Sequence, residues 1–299
     1  MTGAIAPRVA WETVDGIVLL DKPAGISSHD AVLAARRASG ESRIGHAGTL
    51  DPFATGLLVC LLGRATRLLP YLPGEPKVYD AVVRFGSETD TEDLLGAVVH
   101  EAPLPDEATV RDALAQFTGR IRQVPPAYSA KRVDGRRAYA AARAGVAVDL
   151  PPVEITVHAL ELRAWHGETC ELRVTCGGGT YVRSLARDIA RHAGSAAHLV
   201  ALRRTHAGPF DVADAVTVPS RGERIAVRPA LDALPHLPRV AIDAQDAARV
   251  RGGIAIRGDD AGGTTHAALV TGEPPHLVAL AERGDDRWQP RVVMRDGVA

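Results

Sequence analysis

Alternation of apolar and polar side chains predicts several β-strands along the chain. A strand with one buried face repeats every two residues, and this period is clear over 77–85, where Tyr79, Val83 and Phe85 share one face. The same alternation, or a short continuous apolar run, predicts strands over 16–20, 153–159, 170–176 and 202–210. The apolar run 57–62 fits either a buried strand or a buried helix, because periodicity does not distinguish the two.

Helical spacing and helix-start signals predict three helices. Ser28 is typical of an N-cap, and the helix that it starts is predicted to run through Ala38. A second helix is predicted over 109–118 and a third over 181–192. Strands and helices do not alternate strictly along the chain, so the pattern favours an α+β fold over a parallel α/β fold.

Two domains are expected from the distribution of these elements. The segment 231–238 contains two prolines and follows the last strong pattern, so we place a domain boundary there. Residues 1–235 are expected to form the larger domain. Residues 240–299 contain Gly-rich turns and short apolar strands, and we expect them to form a small β-rich module.

Composition excludes several classes of protein. In 299 residues, 46% are hydrophobic and 24% charged, which is ordinary for a globular chain and excludes disorder and collagen-like repeats. No apolar run is long enough for a membrane helix, and the N-terminus lacks the pattern of a signal peptide. Cys60, Cys170 and Cys176 have neither metal-type spacing nor a disulfide pattern, so a reduced, cytoplasmic compartment is expected.

The net charge of −1 hides strong local imbalance. The segment 84–107 has a net charge of −6, whereas 111–143 has +6 and 183–206 has +4. Basic stretches of this kind can face a polyanion. A solvated surface of mixed charge explains the same numbers, so charge alone leaves both interpretations open.

Several common catalytic patterns are missing. The chain has no HExxH, GxSxG or GxxxxGK[ST] motif, so zinc proteases, serine hydrolases and P-loop enzymes find no support. The eleven histidines are scattered, and no metal site is predicted. The glycines at 177–179 lie between a predicted strand and a predicted helix, where they form either a phosphate site or, more simply, a tight turn.

The loop 45–56 is the most distinctive candidate for chemistry. It contains four Gly or Pro residues around a single carboxylate, Asp51. Pro52 disfavours helical geometry at Asp51, so the backbone there is expected to be extended or turn-like. An Asp–Pro pair is also typical of a helix N-cap and first helical residue, and from these two residues alone the cap is the simpler interpretation.

Six ordered segments of the chain resemble the bacterial tRNA pseudouridine synthase B (TruB) family. RIGHAGTLDPFATGLL at 43–58 is similar to the catalytic loop of the family. The others are GIVLLDKPAGISSHD (16–30), KVYDAVVRFGSETDTEDLLG (77–96), QVPPAYSAKRVDGRRAYAAARAG (123–145), GTYVRSLARDI (179–189) and LRRTHAGPF (202–210). The resemblance implies a mixed, mainly antiparallel sheet with flanking helices, an RNA-holding insert at about 120–150, and a C-terminal module of the PUA type.

The resemblance also implies a reaction, the isomerisation of uridine 55 in the T-loop of tRNA to pseudouridine. The N-glycosidic bond breaks, the uracil turns and a C–C bond forms without redox change or net hydrolysis, so neither cofactor nor metal is expected. By the family pattern Asp51 is the nucleophile, which attacks either the ribose C1′ or the uracil C6. Arg183 matches its partner, and we expect the arginine to hold the pKa of Asp51 down.

Further site residues follow from the same resemblance. Tyr79 matches a tyrosine that stacks on the target base and can accept a proton, although by itself it fits ordinary core packing. Tyr181 matches a second pocket tyrosine, Leu202 an apolar residue lining the uracil slot, and His46 a histidine that stacks within the opened T-loop. The Lys-Pro pair at 22–23 matches a motif that packs under the site and that we interpret as structural.

The partner implied by the resemblance is the T-arm of tRNA. The target base must be flipped out of the folded RNA, and affinity is expected mainly from phosphate contacts. The candidate phosphate ligands in the insert are Lys131, Arg132, Arg136 and Arg137. We expect a monomer with no obligate protein partner and no membrane. The segment 241–299 holds nine acidic residues and seven arginines, so its charge does not indicate an RNA contact.

Two other functions compete with this interpretation. An RNA-binding or RNA-folding protein would use the same basic stretches, but it would need no nucleophile. A guide-RNA-dependent pseudouridine synthase with protein partners would share the site. The basic insert of the stand-alone type and the lack of Lys-rich tails argue against the guide-dependent enzyme.

Overall fold

The computed structural model describes residues 14–128, 132–133, 136–137, 150–258 and 262–294. The α-helices in these residues are α1 (Ser28–Ser39), α2 (Glu107–Gln116), α3 (Val182–His192) and α4 (Ala244–Arg251). The strands are β1 (Gly16–Lys22), β2 (Ile44–His46), β3 (Thr55–Leu62), β4 (Lys77–Phe85), β5 (Ser87–Thr89), β6 (Val98–Glu101), β7 (Gly119–Gln123), β8 (Arg132–Val133), β9 (Arg136–Arg137), β10 (Val153–Trp165), β11 (Thr169–Cys176), β12 (Ala197–Ala207), β13 (Phe210–Asp211), β14 (Val216–Thr217), β15 (Arg228–Pro229), β16 (Arg239–Ala241), β17 (Ile256–Arg257), β18 (His266–Thr271), β19 (His276–Gly284) and β20 (Arg287–Val293).

An eleven-stranded sheet forms the centre of the larger part of the molecule. Its main path runs β14-β1-β3-β12-β4-β11-β10-β7, and β2, β13 and β15 pair onto this path. Every pair in the sheet is antiparallel except β1 with β14 and β3 with β12. The predicted α+β fold with a mixed, mainly antiparallel sheet is therefore confirmed.

Strand predictions from alternation hold well, and the ambiguous run 57–62 lies in a strand, β3. The strand predicted over 202–210 is wrong at both ends. Strand β12 starts at Ala197 and stops at Ala207, where Gly208 has φ +57° and a Cβ would lie 2.0 Å from the carbonyl oxygen of Pro73. This close approach ends the strand, and β13 follows as a separate, two-residue partner of β12.

Helix α1 has a different N-cap from the one predicted. Ser27, not Ser28, caps the helix: its side chain accepts from the backbone N–H of Asp30, whose carboxylate accepts in return from the backbone N–H of Ser27. The hydroxyl of Ser28 instead bonds the backbone of Leu50, 22 residues further along the chain. Two adjacent serines both fit the cap pattern, and only the tertiary contact distinguishes them.

The central sheet is covered on both faces. On one face, helices α1, α2 and α3 contribute to a single apolar cluster with side chains such as Leu58 and Tyr79. On the other, Ile17 and Leu19 of β1 belong to one cluster with Leu280 and Val292 of the C-terminal part. None of the helices in the described residues is both long and apolar enough to span a membrane.

The C-terminal part is a small β-rich module, as the sequence predicts. Its five strands follow the order β16-β18-β19-β20-β17, and all pairs are antiparallel except β16 with β18. Helix α4 packs against this sheet through Ala247 and Val250, which share a third apolar cluster with the fully buried Trp288.

Candidate active site

The loop 47–54, which joins β2 to β3, carries Asp51 and is called the catalytic loop below. Strands β2 and β3 pair antiparallel up to His46 opposite Cys60, so both ends of the loop are anchored in the sheet. The alternative interpretation of Asp51 as a helix cap is wrong, because no helix begins at Pro52. Asp51 therefore lies in an irregular segment between two paired strands, at the end of the interior strand β3.

Two side chains of the segment 16–30 hold the catalytic loop in place through hydrogen bonds to its backbone. The Ser28 hydroxyl accepts from the backbone N–H of Leu50 at 2.8 Å and donates to its carbonyl oxygen at 2.9 Å. The ammonium of the fully buried Lys22 donates to the carbonyl oxygens of Pro23, Ile26 and Pro52 at 2.9, 2.7 and 3.4 Å. Burial lowers the pKa of Lys22 to about 8. These contacts agree with a structural role for the 22–23 pair.

Asp51 forms a bidentate ion pair with Arg183, the second residue of α3. Arg183 Nε donates to Asp51 Oδ2 at 2.9 Å, and Nη2 donates to Oδ1 at 3.2 Å. The Arg183 side chain is only 3% exposed, whereas that of Asp51 is 33% exposed. The carboxylate is thus held in a fixed orientation and still reachable from solvent.

Arg183 is itself fixed by three groups from two other segments. Nη1 donates to the carbonyl oxygen of Thr91 at 2.6 Å and Nη2 to that of Tyr128 at 3.0 Å. The carboxylate of the buried Asp93 lies 3.8 Å from Nη1. One guanidinium therefore connects the catalytic loop, the loop after β5, the segment after β7 and the start of α3. Asp93 is a site residue that sequence reasoning missed.

The net direction of the Asp51 pKa differs from the sequence expectation. Desolvation by the surrounding protein raises the pKa of Asp51, and the nearby Asp93 carboxylate adds to this rise. Arg183 and Lys22 pull in the opposite direction, as the sequence suggests for the arginine, but burial outweighs them. A raised pKa makes the carboxylate more basic than an ordinary aspartate.

Tyr79 lies on the central strand β4, opposite Val174 of β11 and Arg204 of β12. It is 7% exposed and belongs to the same apolar cluster as Leu50 of the catalytic loop. Burial raises the pKa of the Tyr79 phenol, whereas the nearby Arg204 guanidinium acts in the opposite direction. Strand packing and proximity to the catalytic loop are both present at this residue.

Tyr181 is the N-cap residue of α3 and is held by a second side chain that sequence reasoning missed, Gln123. Gln123 Oε1 accepts from the Tyr181 backbone N–H at 2.9 Å, and its Nε2 donates to the Tyr181 carbonyl oxygen at 3.0 Å. Gln123 is 1% exposed and ends β7. The Gln123 amide hydrogen-bonds both the N–H and the carbonyl oxygen of Tyr181, so it fixes the start of the helix that carries Arg183.

The other predicted substrate-binding residues lie on different elements of the fold. His46 ends β2 beside the catalytic loop, and burial lowers its pKa. Leu202 is 7% exposed in β12 and belongs to the apolar cluster of Tyr79. Arg132, Arg136 and Arg137 lie in the paired strands β8 and β9, with Arg132 opposite Arg137. Lys131 lies outside the described residues.

The basic stretch 183–206 does not face a polyanion with most of its arginines. Three arginines at helical spacing on α3 each meet an acidic residue of the 84–107 stretch; the pairs are Arg183 with Asp93, Arg187 with Glu92 and Arg191 with Glu88. Arg203 pairs with Asp21 of β1. Each of these four arginines therefore pairs with a carboxylate of the protein, Arg191 and Arg203 at partly exposed positions, so neither interpretation from charge alone describes the stretch 183–206.

The glycines at 177–179 form a tight turn, the simpler of the two interpretations. The backbone N–H of Gly178 donates to the carboxylate of Glu75 at 2.5 Å, so a side chain of the protein occupies the donor that a phosphate would need.

A cavity of about 190 Å³ opens nearby, lined by residues that include Ala47, Gly48, Lys77 and Phe210. Asp51 and Leu202 are not among its lining residues.

Solved structures with the same fold define the class of this protein. A chain from an H/ACA ribonucleoprotein bound to a substrate RNA containing 2′-deoxyuridine is 25% identical and superposes with a TM-score of 0.67 over 94% of this chain and 85% of that chain. A chain from a Cbf5–Nop10–Gar1 complex is 26% identical, with a TM-score of 0.65 over 94% of this chain and 84% of that chain. Together with the family match described next, this fold defines a pseudouridine synthase, an isomerase.

Sequence comparison gives the family. Residues 36–182 match the N-terminal domain of TruB family pseudouridylate synthases, and residues 183–220 match the tRNA pseudouridylate synthase B C-terminal domain. A tRNA pseudouridine synthase B of Thermobifida fusca is 42% identical over 93% of this chain and 98% of its own length. One of Bordetella parapertussis is 46% identical over 75% of this chain and 94% of its own length. The chain belongs to the TruB family of pseudouridylate synthases.

Proposed function

We propose that this protein isomerises uridine 55 in the T-loop of tRNA to pseudouridine, with Asp51 as the nucleophile. The relatives named tRNA pseudouridine synthase B align over nearly their whole length, which supports tRNA as the substrate. The observation that carries the proposal is the Asp51–Arg183 pair. It presents a partly exposed carboxylate of raised pKa on a buried, immobile guanidinium.

The chemistry needs a group that adds to the nucleotide and later leaves it. The Asp51 carboxylate attacks the ribose C1′ or the uracil C6, the N-glycosidic bond breaks, the uracil turns and its C5 joins C1′. The C5 proton is lost and N1 gains a proton, so the product is an isomer of the substrate and no external reactant is consumed. Arg183 orients the carboxylate, Tyr79 stacks on the base, and Tyr181 and Leu202 line the uracil slot.

Binding must also open the folded RNA. Flipping the base out of its stack costs a few kcal/mol, which stacking and edge hydrogen bonds in the pocket offset. His46 stacks within the opened loop, and the basic residues Lys131, Arg132, Arg136 and Arg137 bind phosphates of the T-arm.

We assign residues 1–235 to the catalytic domain and 240–299 to a PUA-like module. The enzyme acts as a monomer without guide RNA or protein partner.

The direct test uses purified protein and an unmodified tRNA transcript without any added cofactor or second RNA. Mapping of the product by a pseudouridine-specific reagent should show conversion at position 55 alone. A transcript with cytidine at position 55 serves as the matched substrate control and should stay unmodified. Lack of conversion by the isolated protein, or conversion at another position, would contradict the proposal.

The variant Asp51→Asn separates catalysis from binding in the same assay. It keeps the shape of the side chain and removes the charge, so tRNA affinity should stay near that of the wild type while pseudouridine formation is abolished. Turnover near the wild-type rate would remove Asp51 from the mechanism. Retained binding with no turnover even in the wild type would favour an RNA-folding protein.

A further inference from the structure

Arg204 is a buried cation that the proposed mechanism does not yet use. It lies on β12 and is 1% exposed. Among the residues that the structure describes, no carboxylate lies within ion-pair distance of its guanidinium. A buried charge without a counter-ion is costly, so its position needs another explanation.

The guanidinium of Arg204 binds backbone on both sides of the catalytic loop. Nε donates to the carbonyl oxygen of Leu57 at 2.7 Å, just after the loop. Nη2 donates to the carbonyl oxygen of Gly48 at 3.1 Å, and Nη1 lies 3.5 Å from that of Thr49, both just before Asp51. One rigid planar group therefore ties the two arms of the loop together.

The fit around these contacts is close. Gly48 has φ +90°, and a Cβ there would lie 3.4 Å from Arg204 Nη1. Gly56 has φ +100°, and a Cβ there would lie 2.2 Å from the backbone carbonyl oxygen of Arg204. Both glycines belong to the motif that carries Asp51. Gly56 thus packs onto the Arg204 backbone with no space for a side chain, whereas a Cβ at Gly48 would be in ordinary van der Waals contact with the guanidinium.

Arg204 also faces the second residue of the proposed site. It stands opposite Tyr79 in the β4–β12 pairing, and its guanidinium lies near enough to lower the pKa of the Tyr79 phenol. The other charged or titratable groups that act on Tyr79 are Cys176 of β11 and Asp51 of the catalytic loop. Arg204 therefore binds the loop of the nucleophile and is the cross-strand neighbour of the tyrosine proposed to stack on the base.

We infer that Arg204 is a positioning residue for the isomerisation, which holds the catalytic loop closed and sets the Asp51 carboxylate against the base stacked on Tyr79. This inference rests on the proposed roles of Asp51 and Tyr79. The contacts of Arg204 are internal, so its effect is exerted on the bound complex during reaction and not on the capture of tRNA.

The test compares Arg204→Met, Arg204→Lys and Arg204→Ala with the control Arg203→Met. Arg203 is adjacent on the same strand, and its partly exposed pair with Asp21 lies outside the proposed site. Misplacement of a reacting group by about 1 Å costs about 100-fold, so the single-turnover rate of Arg204→Met should fall by about 100-fold while the Kd for tRNA changes little. Arg204→Lys should recover part of the rate, and low, non-denaturing guanidinium should partly restore Arg204→Ala. Arg203→Met should keep the wild-type rate.

Each result decides for or against the inference. A folded Arg204→Met variant with a rate within threefold of the wild type overturns it. So does a parallel loss of rate, affinity and thermal stability, because that pattern describes a merely structural arginine. If Arg204→Met does not fold, a fully active Arg204→Lys or an absence of guanidinium rescue overturns it. Asp51→Asn is measured in the same series: if that variant is active, the proposed function fails, whereas an inactive Asp51→Asn with active Arg204 variants rejects only the role of Arg204.

Discussion

Asp51 combines two opposing influences, and their balance gives a pH dependence. Burial and Asp93 raise the pKa of its carboxyl, while Arg183 and Lys22 lower it less strongly. Attack needs the ionised form, so the rate should fall as the pH drops through this raised pKa. We therefore expect the acid limb of the single-turnover rate to lie clearly above about 3.9, the pKa of an ordinary aspartate.

The measurement is a single-turnover rate at constant ionic strength from neutral to acidic pH. Circular dichroism and tRNA binding at each pH separate titration of the site from unfolding and from loss of affinity. A folded, tRNA-saturated enzyme with an undiminished rate close to pH 4 would contradict the raised pKa.

Packing by the Tyr79 ring and chemistry at its hydroxyl can be distinguished by a single substitution. Tyr79→Phe keeps the ring, which fills the apolar cluster, and removes the hydroxyl whose pKa the nearby Arg204 guanidinium lowers. We expect the rate to fall by about 100-fold or more, the order seen for loss of a proton-transfer group, while the Kd for tRNA stays within a few fold. Tyr71→Phe, outside the proposed site, is the matched control and should behave as wild type. An equal loss of rate and affinity would make Tyr79 a packing residue only.

Individual residues show where sequence reasoning reaches its limit. Asp51 and Arg183 are 132 positions apart, and their pairing could be expected only because both lie in segments that resemble one family. The bond from Gln123 to Tyr181 had no local signal, because a glutamine at a strand end is unremarkable until the fold brings it to a helix start. The net pKa of Asp51 was equally inaccessible, because desolvation depends on packing and not on the motif.

At the level of elements, helix α3 explains why charge counting misled. Its arginines follow a spacing of four, and an acidic run of similar length lies at 84–107. The two segments are far apart in sequence, so each appeared to face an external partner. The sheet brings them together, and the buried pair between Arg187 and Glu92 forms inside the protein. Complementary runs of opposite charge were the signal that could have indicated this pairing.

The parallel pairing of β3 with β12 depends on one glycine. Arg204 stands opposite Gly56, whose φ is +100°, and a Cβ at Gly56 would lie 2.2 Å from the Arg204 carbonyl oxygen. Gly56→Ala should lower the free energy of unfolding by about 3 kcal/mol, because backbone strain adds to the steric clash. Urea denaturation provides the measurement. Gly74→Ala is the control, since a Cβ there meets open space, and it should change stability little. Equal free energies of unfolding for the two variants would mean that β3 and β12 can accommodate a Cβ at Gly56 without loss of stability.

At the scale of the whole molecule, the two sheets are less independent than the sequence suggested. The last strand of the larger sheet, β15, ends at Pro229 and the first strand of the C-terminal sheet, β16, starts at Arg239; the β-rich character of the C-terminal part was predictable from its turns and short strands. The apolar cluster that joins Leu19 to Leu280 was not predictable, because alternation reveals a buried face but not its partner. The module packs on one face of the larger sheet, and the opposite face carries the apolar cluster that contains Tyr79 and Leu50.

The distribution of charge over the whole molecule predicts how RNA binding responds to salt. Arginines of α3 form ion pairs within the protein, and so do Arg111 and Arg120 at the start of the 111–143 stretch, so we expect the proposed phosphate contacts to come mainly from the remaining basic residues of that stretch. Each phosphate contact contributes a slope of about −0.7 to −0.9 to the log–log plot of affinity against salt, so the affinity for tRNA should fall steeply. Replacing Arg136 and Arg137 together by glutamine should reduce the slope by about 2. Arg249→Gln, on helix α4 and paired with Asp246, is the control and should leave the slope unchanged. A flat salt dependence in the wild type, or an unaltered slope in the double variant, would place the RNA contact elsewhere on the protein.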